Sequence, residues 1–155
     1  MPTDGPTVDQ GVREMMLLMP RLVGRAKRIP VPEQLRDFAL TPRHLSLLAF
    51  LLLDGPATVK ALAGKLEIAS TTVSLMVGDL NRKGILTRAE DEQDRRRTIV
   101  GIADTHREAI EGWLAGGAEA WRVALAPLAP AERQLVIDTL LTYERETLKR
   151  VQGLD

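Results

Sequence analysis

"STTVSLMVGDLNRKGILTRAEDEQDRRRTIVGI", Ser70 to Ile102, is the stretch that decides the fold, because the period of its apolar residues changes partway along. Val73, Met76, Val77 and Leu80 recur at helical spacing and predict one apolar helix face. Ser70 or Thr71 is the expected N-cap and Gly84 the stop. After the glycine, "ILTRA" and "RTIVGI" are short runs in which β-branched residues are common, and they predict two strands. From Arg88 to Arg97 the chain carries four acids, Glu90, Asp91, Glu92 and Asp94, and four arginines, Arg88, Arg95, Arg96 and Arg97. Just upstream, "TVKALAGKLEI" predicts a short helix capped by Thr58, with Leu62 and Leu66 turned inward. Two short helices with a four-residue gap have helix-turn-helix spacing, and a hairpin placed directly after them is a wing.

Helices are expected on both sides of this module. A helix starts near Val8, where Thr7 and Gln10 have capping-box spacing, and carries the stripe Val12, Met15, Met16, Met19, Leu22, Val23 and Ala26. Pro20 falls inside that stripe and is expected to kink or split the helix. After the breaker "IPVP", a turn of helix is expected over Glu33 to Phe38. "LTPRHLSLLAFLLLDGP" predicts a helix capped by Thr41, begun by Pro42 and stopped at Gly55-Pro56. Past the wing, Thr105 and Glu108 have capping-box spacing in a helix from Asp104 to about Leu125. The glycines Gly116 and Gly117 inside it predict a break or a close helix crossing. Pro127 and Pro130 divide it from a last helix, Ala131 to Val151.

The expected fold class is mainly α (α+β). A winged helix-turn-helix over residues 41–103 is flanked by N-terminal (1–40) and C-terminal (104–155) dimerisation helices. The flanking stripes need a partner surface, and two interleaved copies supply one of roughly 2,000 Å² or more. Aromatic residues make up 3% of the chain, so its core must be mostly aliphatic. There is no cysteine, which excludes a disulfide framework, a Cys-based zinc site and a thiol redox switch. The longest apolar run, Leu45 to Leu53, is too short to cross a bilayer and Ser46 interrupts it. The first ten residues lack the pattern of a secretory signal, so a cytoplasmic location is expected. No phosphate loop, nucleophile elbow or metal-ligand spacing is present, and the two histidines lie far apart in sequence, so no enzyme and no cofactor are expected. Basic and acidic side chains balance at 21 each, with a slight basic excess in residues 58–100 and an acidic excess in the last third.

This layout resembles the MarR family of transcriptional regulators, from about Val8 to Val151. The likeness is sharpest over Thr58 to Ile102, where "LAGKLEIASTTVSLMVGDLNRKGILTRAEDEQDRRRTIVGI" is similar to that family's recognition helix and wing. The wing motif maps to Asp94, Arg95 and Arg96, with Val100 and Ile102 on the strand and Arg88 and Asp91 at charged positions. The chain departs from the family at Leu75 and Asp79, where basic residues are common, and at Pro20. The resemblance implies a homodimer that binds a pseudo-palindrome in double-stranded DNA, half-sites about 34 Å apart, and acts as a repressor released by a small aromatic or phenolic effector.

Physical chemistry assigns roles within that picture. A hairpin tip can insert an arginine into a narrow minor groove, where negative potential is concentrated. Arg96 is the expected inserted side chain, with Asp94 bracing its guanidinium and Arg95 and Arg97 on the other strand face. Ser70, Thr71, Thr72 and Ser74 face the major groove, where hydroxyls contact phosphate or either base partner. Arg82 and Lys83 either reach phosphates or complement the helix dipole. Thr58 and Arg88 complete the expected DNA-binding set. Met15, Met19, His44, Phe50, Trp113 and Trp121 are the candidate effector-binding residues, weighed against simple core packing. The rival to DNA binding is a winged helix used for protein contact.

Overall fold

In the computed structural model, which describes residues 5–153, the chain divides into two compact units, one reaching to Ala115 and the other starting at Gly116. The first unit opens with α1, Val8–Ala26. Thr7 and Gln10 form the expected capping box: the Thr7 amide donates to Gln10 Oε1 at 2.8 Å and the Gln10 amide to Thr7 Oγ1 at 3.3 Å. Pro20 does not split α1. Its missing amide deprives only the Met16 carbonyl, on a stretch where both residues are exposed. A four-residue helix α2, Glu33–Arg36, buries Leu35. Helix α3, Pro42–Asp54, begins after Thr41 as the N-cap and buries Leu47, Leu48 and Leu51.

The helix-turn-helix comprises α4, Val59–Leu66, and α5, Ser70–Arg82. Glu67 makes the turn between them in the left-handed region, φ 55°. The wing is β2, Leu86–Glu90, paired antiparallel with β3, Thr98–Ile102, in the register Leu86 to Ile102 and Arg88 to Val100. A two-residue strand β1, Ala57–Thr58, adds to the other edge of β3, giving the order β1-β3-β2. That third strand went unpredicted, because two residues are too few to show a period. Val100 and Ile102 alternate inward from β3 and join Leu62, Val73, Val77, Leu80 and Ile85 in an aliphatic core, as the scarcity of aromatics required. Each fully buried Leu or Val there contributes about 1.5–3 kcal/mol.

Helix α6, Asp104–Leu125, runs unbroken from the first unit into the second, and Gly116-Gly117 sit where the units divide. The glycine pair does not break the helix, and a Cβ added at either meets nothing within 4 Å among the described residues of this chain. Ile110 and Trp113 are the residues α6 buries. In the second unit, Arg133 donates to the Leu125 and Ala126 carbonyls and closes the end of α6. Helix α7, Pro130–Gln152, starts where the Ala129 amide donates to Glu132. None of its described residues is buried. α1 likewise buries none, and both helices leave their apolar stripes exposed.

Candidate nucleic-acid interface

Helix α5 is positioned by its buried face. Val73, Val77 and Leu80 are fully buried, which turns Ser70, Thr71, Ser74, Leu75 and Arg82 to the surface and leaves Thr72 half-buried. Neither Ser70 nor Thr71 is the N-cap. Ala69 occupies that position and offers no side-chain acceptor, so the helix begins one residue earlier than its hydroxyls suggested. The first-turn amides of α5 therefore lack a side-chain cap, at the positive end of the helix dipole. In α4, by contrast, Thr58 Oγ1 accepts from the Ala61 amide at 3.1 Å, as expected of a cap.

Asp79 and Lys83, one turn apart at the end of α5, are paired at 2.8 Å. Lys83 Nζ also donates to the Phe38 carbonyl at 2.9 Å, tying α5 to the segment after α2. Asp79 is thus engaged within the protein. The hydrogen bond from Lys83 holds its carboxyl below the usual range, although partial desolvation opposes this. Arg82 lies 3.6 Å from Asp79 and is exposed. Its guanidinium and that of Arg88, reaching across from β2, converge on Gly78. A Cβ at Gly78 would stand 3.6 Å from Arg88 and 3.9 Å from Arg82.

The tip of the wing is Asp91–Arg97. Asp91 Oδ1 accepts from the Gln93 amide and Asp94 Oδ1 from the Arg96 amide, each at 3.0 Å. The Asp91 amide donates to the Arg97 carbonyl and the Arg97 amide to the Asp94 carbonyl, each at 2.9 Å. Asp94 therefore braces backbone rather than a guanidinium, because a short acidic side chain finds the amide two residues on before it finds a long flexible arginine. Nor do Arg95 and Arg97 occupy a strand face: both lie in the turn, so strand alternation does not apply to them. Arg95, Arg96 and Arg97 are all exposed, and among the described residues none of them, nor Arg88, forms an ion pair. Thr58, Val59, Lys60, Arg97 and Thr98 line one open groove beside this turn. Lys60 and Gly78 are the members of the surface that sequence reasoning missed. Lys60 is adjacent to a cap residue and carries no motif, while Gly78 matters only through the arginine that crosses it.

Of the candidate effector residues in the first unit, Met15, Met19, His44 and Phe50 do not line the cavity that holds Trp113. That cavity, of about 320 Å³, lies between the end of α1, the 29–31 linker, the start of α3 and Trp113 of α6. Trp113 is the one predicted residue that lines it. The indole is 7% exposed, and its Nε1 has no hydrogen-bond partner among the described residues. His44 instead serves α3, where its Nδ1 accepts from the Thr41 amide at 3.0 Å. Burial first, and the Lys83 charge second, lower its pKa, with Asp79 opposing. Phe50 is half-buried beneath Lys65, whose Nζ is 5.5 Å from the ring centroid. Met15 is exposed and Met19 half-buried on α1. Trp121, in the second unit, is 53% exposed beside Leu125 and Arg133. No group of three or more potential metal ligands occurs among the described residues, and no helix there is long and apolar enough to cross a membrane.

Residues 40–98 match the model of the MarR family. The curated "HTH-type transcriptional repressor MdtR" of Bacillus subtilis is 30% identical over 84 residues, covering 54% of this chain and 54% of that protein, so the match spans about half the relative's length. Among solved structures, a complex of S. aureus MepR with DNA aligns with a TM-score of 0.59 at 22% identity, covering 84% of this chain and 96% of that one. The PcaV transcriptional regulator of Streptomyces coelicolor, in complex with its natural ligand, aligns with a TM-score of 0.59 at 18% identity, covering 92% and 98%. At those identities the structures speak for the winged-helix fold.

Proposed function

We propose, from the premise that residues 40–98 are a MarR-family domain, that this chain is a dimeric transcriptional regulator binding a pseudo-palindromic site in double-stranded DNA. Members of that family are regulators rather than enzymes. One observation carries the reading: the hairpin tip holds three exposed arginines, none of which forms an ion pair among the described residues, while Asp91 and Asp94 each accept a backbone amide. A turn that paired its own charges would be a solvated ornament. This one keeps guanidinium groups available for an external anion, on a loop with a defined backbone. The uncapped start of α5, with Ser70, Thr71 and Ser74 exposed, adds donors of the kind that phosphates and base edges accept. Arg96 enters the minor groove in this reading, Arg95 and Arg97 hold the flanking backbone, and Thr58, Thr72, Arg82 and Arg88 complete the contact set. Asp94 is the brace.

Residues 1–40 and 104–155 serve dimerisation, and residues 41–103 bind DNA. The exposed apolar faces of α1 and α7 support that division, since each helix on its own buries nothing. The regulator is a cytoplasmic repressor released by a small aromatic effector. The cavity beside Trp113 supports the effector reading, with Met15, Met19, His44, Phe50 and Trp121 as the further candidate contacts. The test is a gel-shift titration against DNA upstream of the chain's own coding region, over a range of salt. Duplex binding that weakens as salt rises is expected. An absence of binding at low salt by the effector-free protein would refute the proposal and favour a winged helix used for protein contact.

A further inference from the structure

Leu75 stands at the centre of the outward face of α5. Val73, Val77 and Leu80 point to the core, so Thr71, Leu75, Gly78 and Arg82, at spacings of four, three and four, form the opposite stripe. Leu75 is 76% exposed. Among the described residues it is the only large apolar side chain left exposed between Ala57 and Ile102; the module buries or half-buries the others. Thr71 and Arg82 on the same stripe carry side chains equipped for polar contact. Thr71 lies one turn before it. One turn after it, Gly78 leaves open the space in which the Arg82 and Arg88 guanidinium groups converge.

An isobutyl group can neither donate nor accept a hydrogen bond. The major groove displays donors and acceptors on every base pair and one apolar feature, the 5-methyl group of thymine. We infer that Leu75 is a specificity-determining residue that packs on a thymine methyl in each half-site. This rests on the DNA-binding reading above and names what its recognition helix selects. The hydroxyls of Thr71 and Ser74 tolerate several bases, and the arginine pair over Gly78 supplies charge. The leucine is the member of the face whose contact discriminates thymine from the remaining three bases and from uracil.

The test separates the two levels. Duplexes are selected from a randomised pool with the full-length protein, and each thymine of the selected sequence is then replaced by deoxyuridine, which deletes only the methyl. One position per half-site should lose about fourfold in affinity, the worth of one buried methyl-sized group. Leu75→Ala should bind the thymine and deoxyuridine duplexes equally, its exposed site leaving the fold intact. Wild-type indifference to deoxyuridine at every position would overturn the inference. So would a Leu75→Ala protein that keeps the wild-type sensitivity, since another group would then read the methyl. If the wild type enriches no duplex at all, the DNA-binding reading fails first and this inference with it.

Discussion

Asp94 sits two residues before Arg96, and that spacing determines its use. Its carboxylate accepts the Arg96 amide and so fixes the backbone from which the arginine projects. Simple electrostatics says that deleting an acid beside DNA should strengthen binding. The brace says the reverse, and Asp94→Ala is expected to weaken binding several-fold in a titration. Arg96→Ala is expected to cost about 1–3 kcal/mol of DNA affinity and to reduce the salt slope by about one, with the dimer intact. An unchanged affinity would mean that the wing does not contact the duplex. His44 makes a second residue-scale prediction. Its Nδ1 accepts from the Thr41 amide, so the fold holds the ring neutral, and its pKa lies below the ordinary value. A depressed histidine pKa means that the unfolded chain takes up the proton more readily. Stability is therefore whole above about pH 6.5 and falls as pH drops through that value towards the folded-state pKa. Melting temperatures between about pH 7.5 and 5.5 should show this fall in the wild type and less of it in His44→Gln. Equal falls would place the titration elsewhere.

At the scale of elements, α5 and the wing were legible because each shows its own period over enough residues. Val73, Val77 and Leu80 are core residues as their spacing requires, and the strands begin where the glycine ends the helix. What escaped was decided by single atoms or by very short segments. The start of α5 at Ser70 depended on whether a hydroxyl or Ala69 took the cap, a difference of about 1 kcal/mol between close alternatives. Strand β1 is too short to show alternation. The convergence of Arg82 and Arg88 depends on a side chain from another element crossing Gly78, which no local pattern encodes. Of the candidate site, the charged turn could be read from its composition, whereas the cavity beside Trp113 is lined by residues from separate elements that no local pattern joins. Gly78 yields a prediction at this scale. A Cβ there makes only ordinary contact with the two arginines, so Gly78→Ala is expected to gain up to about 1 kcal/mol of helix stability, read as a raised melting temperature. A lowered one would show that the arginines are packed more tightly over the glycine than the spacing suggests.

The whole molecule is limited by what its outer helices leave uncovered. Val12, Met16 and Val23 of α1 and Leu135, Leu141 and Tyr143 of α7 are exposed. A folded chain rarely leaves so much apolar surface to water without a partner. Truncation before Ala131 is expected to abolish the dimer in sedimentation or light scattering. A folded, soluble monomer that still binds DNA with full affinity would refute the role given to α7. The molecule's neutral charge bears on how it finds its site. With 21 basic and 21 acidic side chains, its attraction to duplex must come from local clusters, so binding to unrelated sequence should be weak. Finally, the two tryptophans occupy opposite environments: Trp113 is enclosed beside the α1–α3 cavity and Trp121 faces solvent. The protein thereby carries two built-in optical probes. In the unpaired chain, iodide should quench the red-shifted emission of Trp121 and leave the bluer emission of Trp113. Occupancy of the cavity would then register in one spectral component, and pairing of the second unit in the other.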